Sequence, residues 1–251
     1  MMRGGRLAAV MTATVVVGAV LAGCGQEAGA EAGPGPGVAY EDLHEVPEEL
    51  GADGVTITVG DPDAAVTVHL YEDPRCPVCE EFETTGGGPE LRQATIRREA
   101  KTEYTLASFL DDRVGGTGSK KAVNALRAAL EEDKFAEYHE VLYAHQPEEA
   151  VDGYTDAYLL ELAGQVEGLR TPAFDSAVRT MKYRAFVTES EKAYERAGGA
   201  EEPEGPGTPT AVVNDVRIPA VSNAVLFDPS VFRSLLTLVR DEPDQWKDMP
   251  F

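Results

Sequence analysis

Cys76 and Cys79 stand two residues apart at the point where a strand pattern gives way to a helix pattern. Ahead of them, Ala65 to Tyr71 reads AVTVHLY, a run rich in β-branched residues. After them, Glu80 and Glu81 suit the first turn of a helix and Phe82 gives that helix an inward face. A thiol pair at a strand-to-helix junction ties the chain to an α/β layout and to one of three chemistries: a redox couple, half of a metal site, or a turn that holds two thiols by chance.

The remaining cysteine narrows the choice. Residues 1–24 read MMRGGRLAAVMTATVVVGAVLAGC, with Arg3 and Arg6 before an apolar run from Leu7 to Ala22. This is a secretory signal pattern, short for a membrane-spanning helix. Leu21-Ala22-Gly23-Cys24 resembles a bacterial lipobox, which implies a signal peptide over 1–23 and a diacylglycerol on the Cys24 thiol. The expected location is the outer face of the cytoplasmic membrane, where disulfides persist. With Cys24 acylated, Cys76 and Cys79 have only each other as thiol partners within the chain. The Gly-, Ala-, Pro- and Glu-rich stretch after Cys24 has too little apolar bulk to fold and reads as a tether over 24–53.

Charge excludes one class of partner. Twenty-two basic against 44 acidic residues give a net charge of −22, so phosphate backbones are repelled and no nucleic-acid partner is expected.

The folded domain is read over 54–241, with a tail over 242–251. Val55 to Val59 alternates as a strand, and Ala65 to Tyr71 follows as a second. Gly86-Gly87-Gly88 interrupts the helix after the cysteines, Pro89 restarts it, and Thr102 to Leu110 reads as a third strand. Helical spacing then dominates about 115–198, through Val123, Leu126 and Leu130, then Tyr138 and Leu142, then Tyr158 and Leu162, then Tyr183 and Phe186. A Pro- and Gly-rich break over 199–210 precedes a hairpin around Asn214-Asp215 and a last helix from Asp228.

A strand ending before Cys76-Pro77-Val78-Cys79, a helix starting inside that motif, a helical insertion, and Gly207-Thr208-Pro209-Thr210 leading into a late strand together resemble the DsbA-type thioredoxin-like proteins, in their membrane-tethered lipoprotein form. The resemblance covers about residues 50–240. It implies an α/β thioredoxin-like fold split by a helical insertion between the βαβ half and the cis-Pro hairpin half. It implies thiol-disulfide oxidoreductase activity, with Cys76 as attacking sulfur and Cys79 as resolving sulfur. It also implies a cis bond at Thr208-Pro209 facing Cys76, where the Thr208 backbone would pair with an extended client.

Physical chemistry gives the pair its roles independently. Cys76 would sit at the helix N-terminus, where unpaired N–H groups and the helix dipole favour a thiolate. Arg75 adjoins it and is a candidate for further thiolate tuning. Pro77 fits the first helical turn without costing a hydrogen bond. Val78 cannot donate to the thiolate as a histidine in that position would, so a couple less oxidising than about −120 mV is expected. The place six before Cys76, often acidic in relatives, holds Leu70; Glu72 and Asp73 read as solvated loop residues, which puts reductase chemistry in doubt.

Client proteins carrying thiols or disulfides, a membrane redox partner of quinone-linked type, a monomeric state, and no cofactor beyond the Cys76–Cys79 disulfide complete the expectation. Two free cysteines in an oxidising compartment lean toward forming disulfides in secreted proteins, with reduction of a specific extracytoplasmic client as the alternative. A different class, a non-catalytic peptide-binding lipoprotein with an inert disulfide, also fits. A zinc site from Cys76, Cys79, His139 and His145 is disfavoured because 59 residues separate the two pairs and His139 reads as near solvent, so no metal is expected.

Overall fold

The computed structural model of the chain describes residues 37–249. The expected signal peptide, Cys24, residues 24–36 of the tether and the last two residues of the tail lie outside the described residues.

Strands β1 (Glu48–Leu50), β2 (Ile57–Gly60) and β3 (Val66–Glu72) come first among the strands, and β3 delivers the chain to Cys76. Helices α1 (Pro77–Thr84) and α2 (Gly88–Ile96) then lead to β4 (Ala100–Leu106), which returns parallel to β3. β5 (Thr210–Val213) and β6 (Val216–Arg217) close a six-stranded sheet of order β1-β2-β4-β3-β5-β6. All its pairings except β3–β4 are antiparallel. This is the expected α/β thioredoxin-like layout, with β3 and β4 at its centre.

β3 shows how burial follows pattern. Val66, Val68, Leu70 and Glu72 all point inward and the residues between them are half-buried. The Asn214-Asp215 turn has φ of 42° and 67°, as a tight hairpin of this hand requires.

Between β4 and β5 lie α3 (Leu110–Val114), α4 (Gly118–Leu130), α5 (Phe135–Ala144), α6 (Asp156–Ala163), α7 (Pro172–Thr180) and α8 (Arg184–Gly198), the expected insertion. Polar bonds fasten it to the sheet. Ser190 of α8 accepts from the Leu106 N–H at 3.1 Å and donates to the Leu106 carbonyl at 2.7 Å, at the end of β4. Asn124 of α4 donates to the Ala177 carbonyl and accepts from the Tyr183 N–H, joining α4, α7 and the start of α8. Gly87 is required where α1 passes to α2: a Cβ there would meet the Phe232 ring of α10 (Pro229–Asp241) at 2.6 Å.

The fold begins earlier and ends later than expected. Tyr40 and Val46 are buried, β1 pairs with β2, and both Glu48 carboxylate oxygens accept N–H groups of Phe135 and Ala136 at 2.6 and 2.9 Å. That carboxylate satisfies orphan donors at the start of α5, which has no side-chain cap of its own. Residues 40–50 therefore belong to the domain, not to the tether. At the other end, α11 (Pro243–Lys247) buries Trp246 completely, and its indole N–H donates to the Val213 carbonyl of β5 at 2.8 Å. The presumed tail is part of the core. Among the described residues no helix is long and apolar enough to cross a membrane.

Candidate active site

The N-cap of α1 is Cys76, with Pro77 at the first helical position and no side-chain cap. Its sulfur therefore stands where the α1 N–H groups converge. Cys76 is 7% exposed and Cys79, one turn on, is fully buried; Val78 is exposed at the rim. Both thiols are free. The Thr208-Pro209 bond is cis, and the Cys76 thiol donates to the Thr208 carbonyl at 3.4 Å. Cys76, Cys79, Pro77, Val78, Thr208 and Pro209 thus meet in one place.

The two sulfurs are driven apart in acidity. The Cys76 pKa is lowered to about 6, chiefly by the hydrogen bond from the Cys79 thiol, then by the Thr208 side chain and the N–H groups of Cys79 and Val78, against burial. Burial pushes Cys79 well up, and the neighbouring Cys76 and Glu72 charges push in the same direction. A thiolate at Cys76 and a thiol at Cys79 is the arrangement that makes the first sulfur the nucleophile and the better leaving group.

Arg75 does something other than the expected tuning. Its guanidinium turns away into the protein and donates to Asp111 Oδ1 at 2.9 Å, the Gly115 carbonyl at 2.9 Å and the Glu149 carbonyl at 2.7 Å. Arg75 and Asp111 are both almost wholly buried. Asp111 also accepts the N–H groups of Ser119 and Lys120, which α4 leaves without intrahelical partners. The arginine clamps the segment before Cys76 to the insertion; the Cys76 thiolate draws its stabilisation from other groups.

Glu72 and Asp73, expected as solvated loop residues, are completely buried. Asp73 accepts from the Arg75 N–H at 2.9 Å, the Leu110 N–H at 3.0 Å and the Ser119 hydroxyl at 2.6 Å. Its carboxyl is nevertheless pushed up to about 7 by burial. Glu72 meets Glu83 of α1 and His139 of α5 in a buried cluster, with His139 Nε2 3.0 Å from Glu72 Oε2. The near-solvent placement of His139 is therefore also corrected: it is 2% exposed. Burial raises both carboxyl pKa values, and lowers that of His139 to about 4, leaving a neutral imidazole. Arg92 Nη1 donates to Glu83 Oε2 at 2.6 Å and supplies positive charge to the cluster. Two carboxyl groups held this way carry a proton at neutral pH beside the buried Cys79. The three side chains offer ligand atoms within 4.8 Å of one another, but the Cys76–Cys79 pair is not part of that group.

Tyr194 of α8 does more than fill the core. Its ring stacks on Phe109 with centroids 5.3 Å apart, and its hydroxyl oxygen accepts from the Gly207 N–H at 3.1 Å. Gly205 has φ of +97°, and a Cβ there would meet the Tyr194 ring at 2.2 Å. The insertion thereby supports the loop that presents Thr208.

Comparison with known proteins agrees with this geometry. The family model Thioredoxin_4, described as "Thioredoxin", matches residues 52–226. No curated protein sequence matches the chain. Among solved structures it is similar to oxidised BdbD from Bacillus subtilis, at TM-score 0.58 and 22% identity over 72% of this chain and 90% of that one. It is similar to DsbA from Chlamydia trachomatis, at TM-score 0.58 and 20% identity over 73% and 90%. MdbA, a thiol-disulfide oxidoreductase from Corynebacterium diphtheriae, shares the fold at TM-score 0.56 and 18% identity over 74% and 94%. The chain belongs to the thioredoxin family and shares its fold with these DsbA-type structures.

Proposed function

We propose that the protein is an extracytoplasmic thiol-disulfide oxidoreductase, anchored through lipid on Cys24, that forms disulfides in secreted proteins with its Cys76–Cys79 couple. The observation that carries this reading is the split in acidity: Cys76 ionises near 6 at the mouth of the site, and Cys79 is held as a buried thiol.

The exchange runs in two steps. A client thiolate, paired alongside Thr208, attacks Cys76 Sγ of the oxidised protein. The Cys76–Cys79 bond breaks and Cys79 leaves, taking up a proton for which the buried Glu72–Glu83 pair is a source. A second client thiolate attacks the client sulfur of the mixed disulfide, and Cys76 leaves as a thiolate that is stable at neutral pH. The client loses two electrons and two protons, and the cysteine pair gains two electrons. A membrane redox partner of quinone-linked type would take them back and restore the disulfide.

The lowered Cys76 pKa supports the oxidising direction: a thiolate at neutral pH stabilises the reduced form and moves the couple toward oxidant. One observation favours the reverse direction: buried acids beside Cys79 can also accept its proton, which a reductase needs. Equilibration with glutathione separates the two. A potential between about −200 and −120 mV supports the oxidase, and one near about −270 mV the reductase. An inert disulfide would exchange with neither glutathione nor a client thiol.

A further inference from the structure

The groove beside Cys76 is walled by carboxylates. A depression of about 520 Å³ opens from Cys76 and Thr208 past Phe109 to Glu149, Glu202 and Glu204. A second, of about 340 Å³, shares Phe109, Arg113 and Glu204 with the first and continues to Asp112, Glu191 and Glu195. Arg113 is the only basic residue lining either one among the described residues. It lies over the Phe109 ring at 4.8 Å and reaches Glu204 at 3.9 Å.

Partners outside the groove neutralise only part of this charge. Arg217 holds Glu202 at 2.6 Å and Lys120 holds Asp112 at 2.9 Å. Glu149, Glu191 and Glu195 have no basic side chain within ion-pair distance among the described residues. Glu191 is met instead by the N–H and hydroxyl of Ser108, hydrogen bonds that favour its charged form against the burial that raises its pKa. The floor is aromatic, the Phe109 ring on Tyr194.

We infer that this groove selects clients whose extended segment carries basic side chains next to the reacting cysteine. The inference rests on the oxidoreductase reading above and names the substrate class of that same site. Pairing along Thr208 fixes the main chain of the client without reading its sequence. Side chains flanking its cysteine then fall among the free carboxylates, where a cation is attracted and a carboxylate repelled. A lysine or arginine has the reach to run past Arg113 and Phe109 and set its charge against Glu149 or Glu204.

The test uses the oxidised full chain and two dithiol peptides identical except for arginine or glutamate on both sides of the cysteines. Second-order rates of disulfide transfer are measured at about 20 mM and about 0.5 M salt, either side of strong screening. The arginine peptide is expected to react about tenfold faster at low salt, with the advantage shrinking to less than about twofold at high salt. The pair Glu149→Lys and Glu204→Lys should erase or invert the preference. The pair Glu161→Lys and Glu167→Lys changes net charge equally, lines neither depression, and should keep it. Equal rates for both peptides at low salt, or equal loss of preference in both double variants, would overturn the inference while leaving the activity standing. If neither peptide nor dithiothreitol reduces the Cys76–Cys79 bond, the activity itself fails.

Discussion

The hydroxyl oxygen of Tyr194 accepts a hydrogen bond from the Gly207 N–H at 3.1 Å, so a helix of the insertion holds the loop that faces Cys76. Tyr194→Phe keeps the ring stack on Phe109 and deletes that bond. The cost in stability should be about 1 kcal/mol, read from urea unfolding. Transfer to a peptide dithiol should slow severalfold because Thr208 is less firmly presented. Unchanged transfer would show that the insertion does not position the loop.

Arg75 and Asp111 form a buried pair whose other bonds tie the active-site segment to α4. Arg75→Met leaves Asp111 without its cation and should destabilise by about 3 kcal/mol in denaturant unfolding. Because the guanidinium is engaged by Asp111 and the Gly115 and Glu149 carbonyls and is not among the groups that lower the Cys76 pKa, that pKa should stay near 6 in the folded variant. A rise toward 9 would restore the arginine to the tuning role expected from its place in the sequence.

Stability should fall as pH rises from about 4.5 to about 8 in the oxidised protein. Glu48 and Asp73 each have a folded pKa near 7, above their unfolded values, and burial raises Glu72 and Glu83 as well. His69 and His139, whose pKa values burial lowers to about 4, act against these four acids up to about 6.5, but the net is that the native state binds more protons than the unfolded chain, so raising the pH favours unfolding. Cys76 works in the opposite direction only when reduced: its folded pKa near 6 lies below its unfolded value, and it adds stability between about 6 and 9. Thermal midpoints of the oxidised form at pH 5 and pH 8 check the sign, the midpoint at pH 5 being the higher.

Glu72→Gln removes a proton carrier beside Cys79 while keeping the shape of the side chain. The mixed disulfide between Cys76 and a client should live longer in this variant, since the step that makes or consumes the Cys79 thiolate is slowed. Trapping by acid quench and mass measurement would show it as a larger covalent fraction at steady state.

Much of this site lay open in the periodicity of the sequence, and polarity obscured the rest. The thiol pair and Pro77 were legible because each depends on local chemistry at a helix start, and Thr208-Pro209 was legible through the family resemblance. Glu72 continues the inward alternation of Val66, Val68 and Leu70 by one more step. Glu83 shares a helix face with Cys79 and Phe82, and His139 shares one with Phe135 and Leu142. Their spacing pointed inward, but a charged residue type reads as solvated until its burial partners are known, and those come from three separate elements. Trp246 and Glu48 were misread for a related reason. Each is fixed by a distant contact, with the Val213 carbonyl and with the start of α5, which no local pattern announces.

The claim on which the rest depends is that Cys76 is a thiolate at neutral pH and Cys79 is not. The direct measurement is the rate of iodoacetamide alkylation of the reduced protein against pH, with the labelled cysteine located by peptide mapping. The account predicts a single titration with its midpoint near 6, label on Cys76 alone, and Cys79 protected throughout. A midpoint near that of an ordinary thiol, at about 8.5, or equal labelling of the two sulfurs, would contradict it.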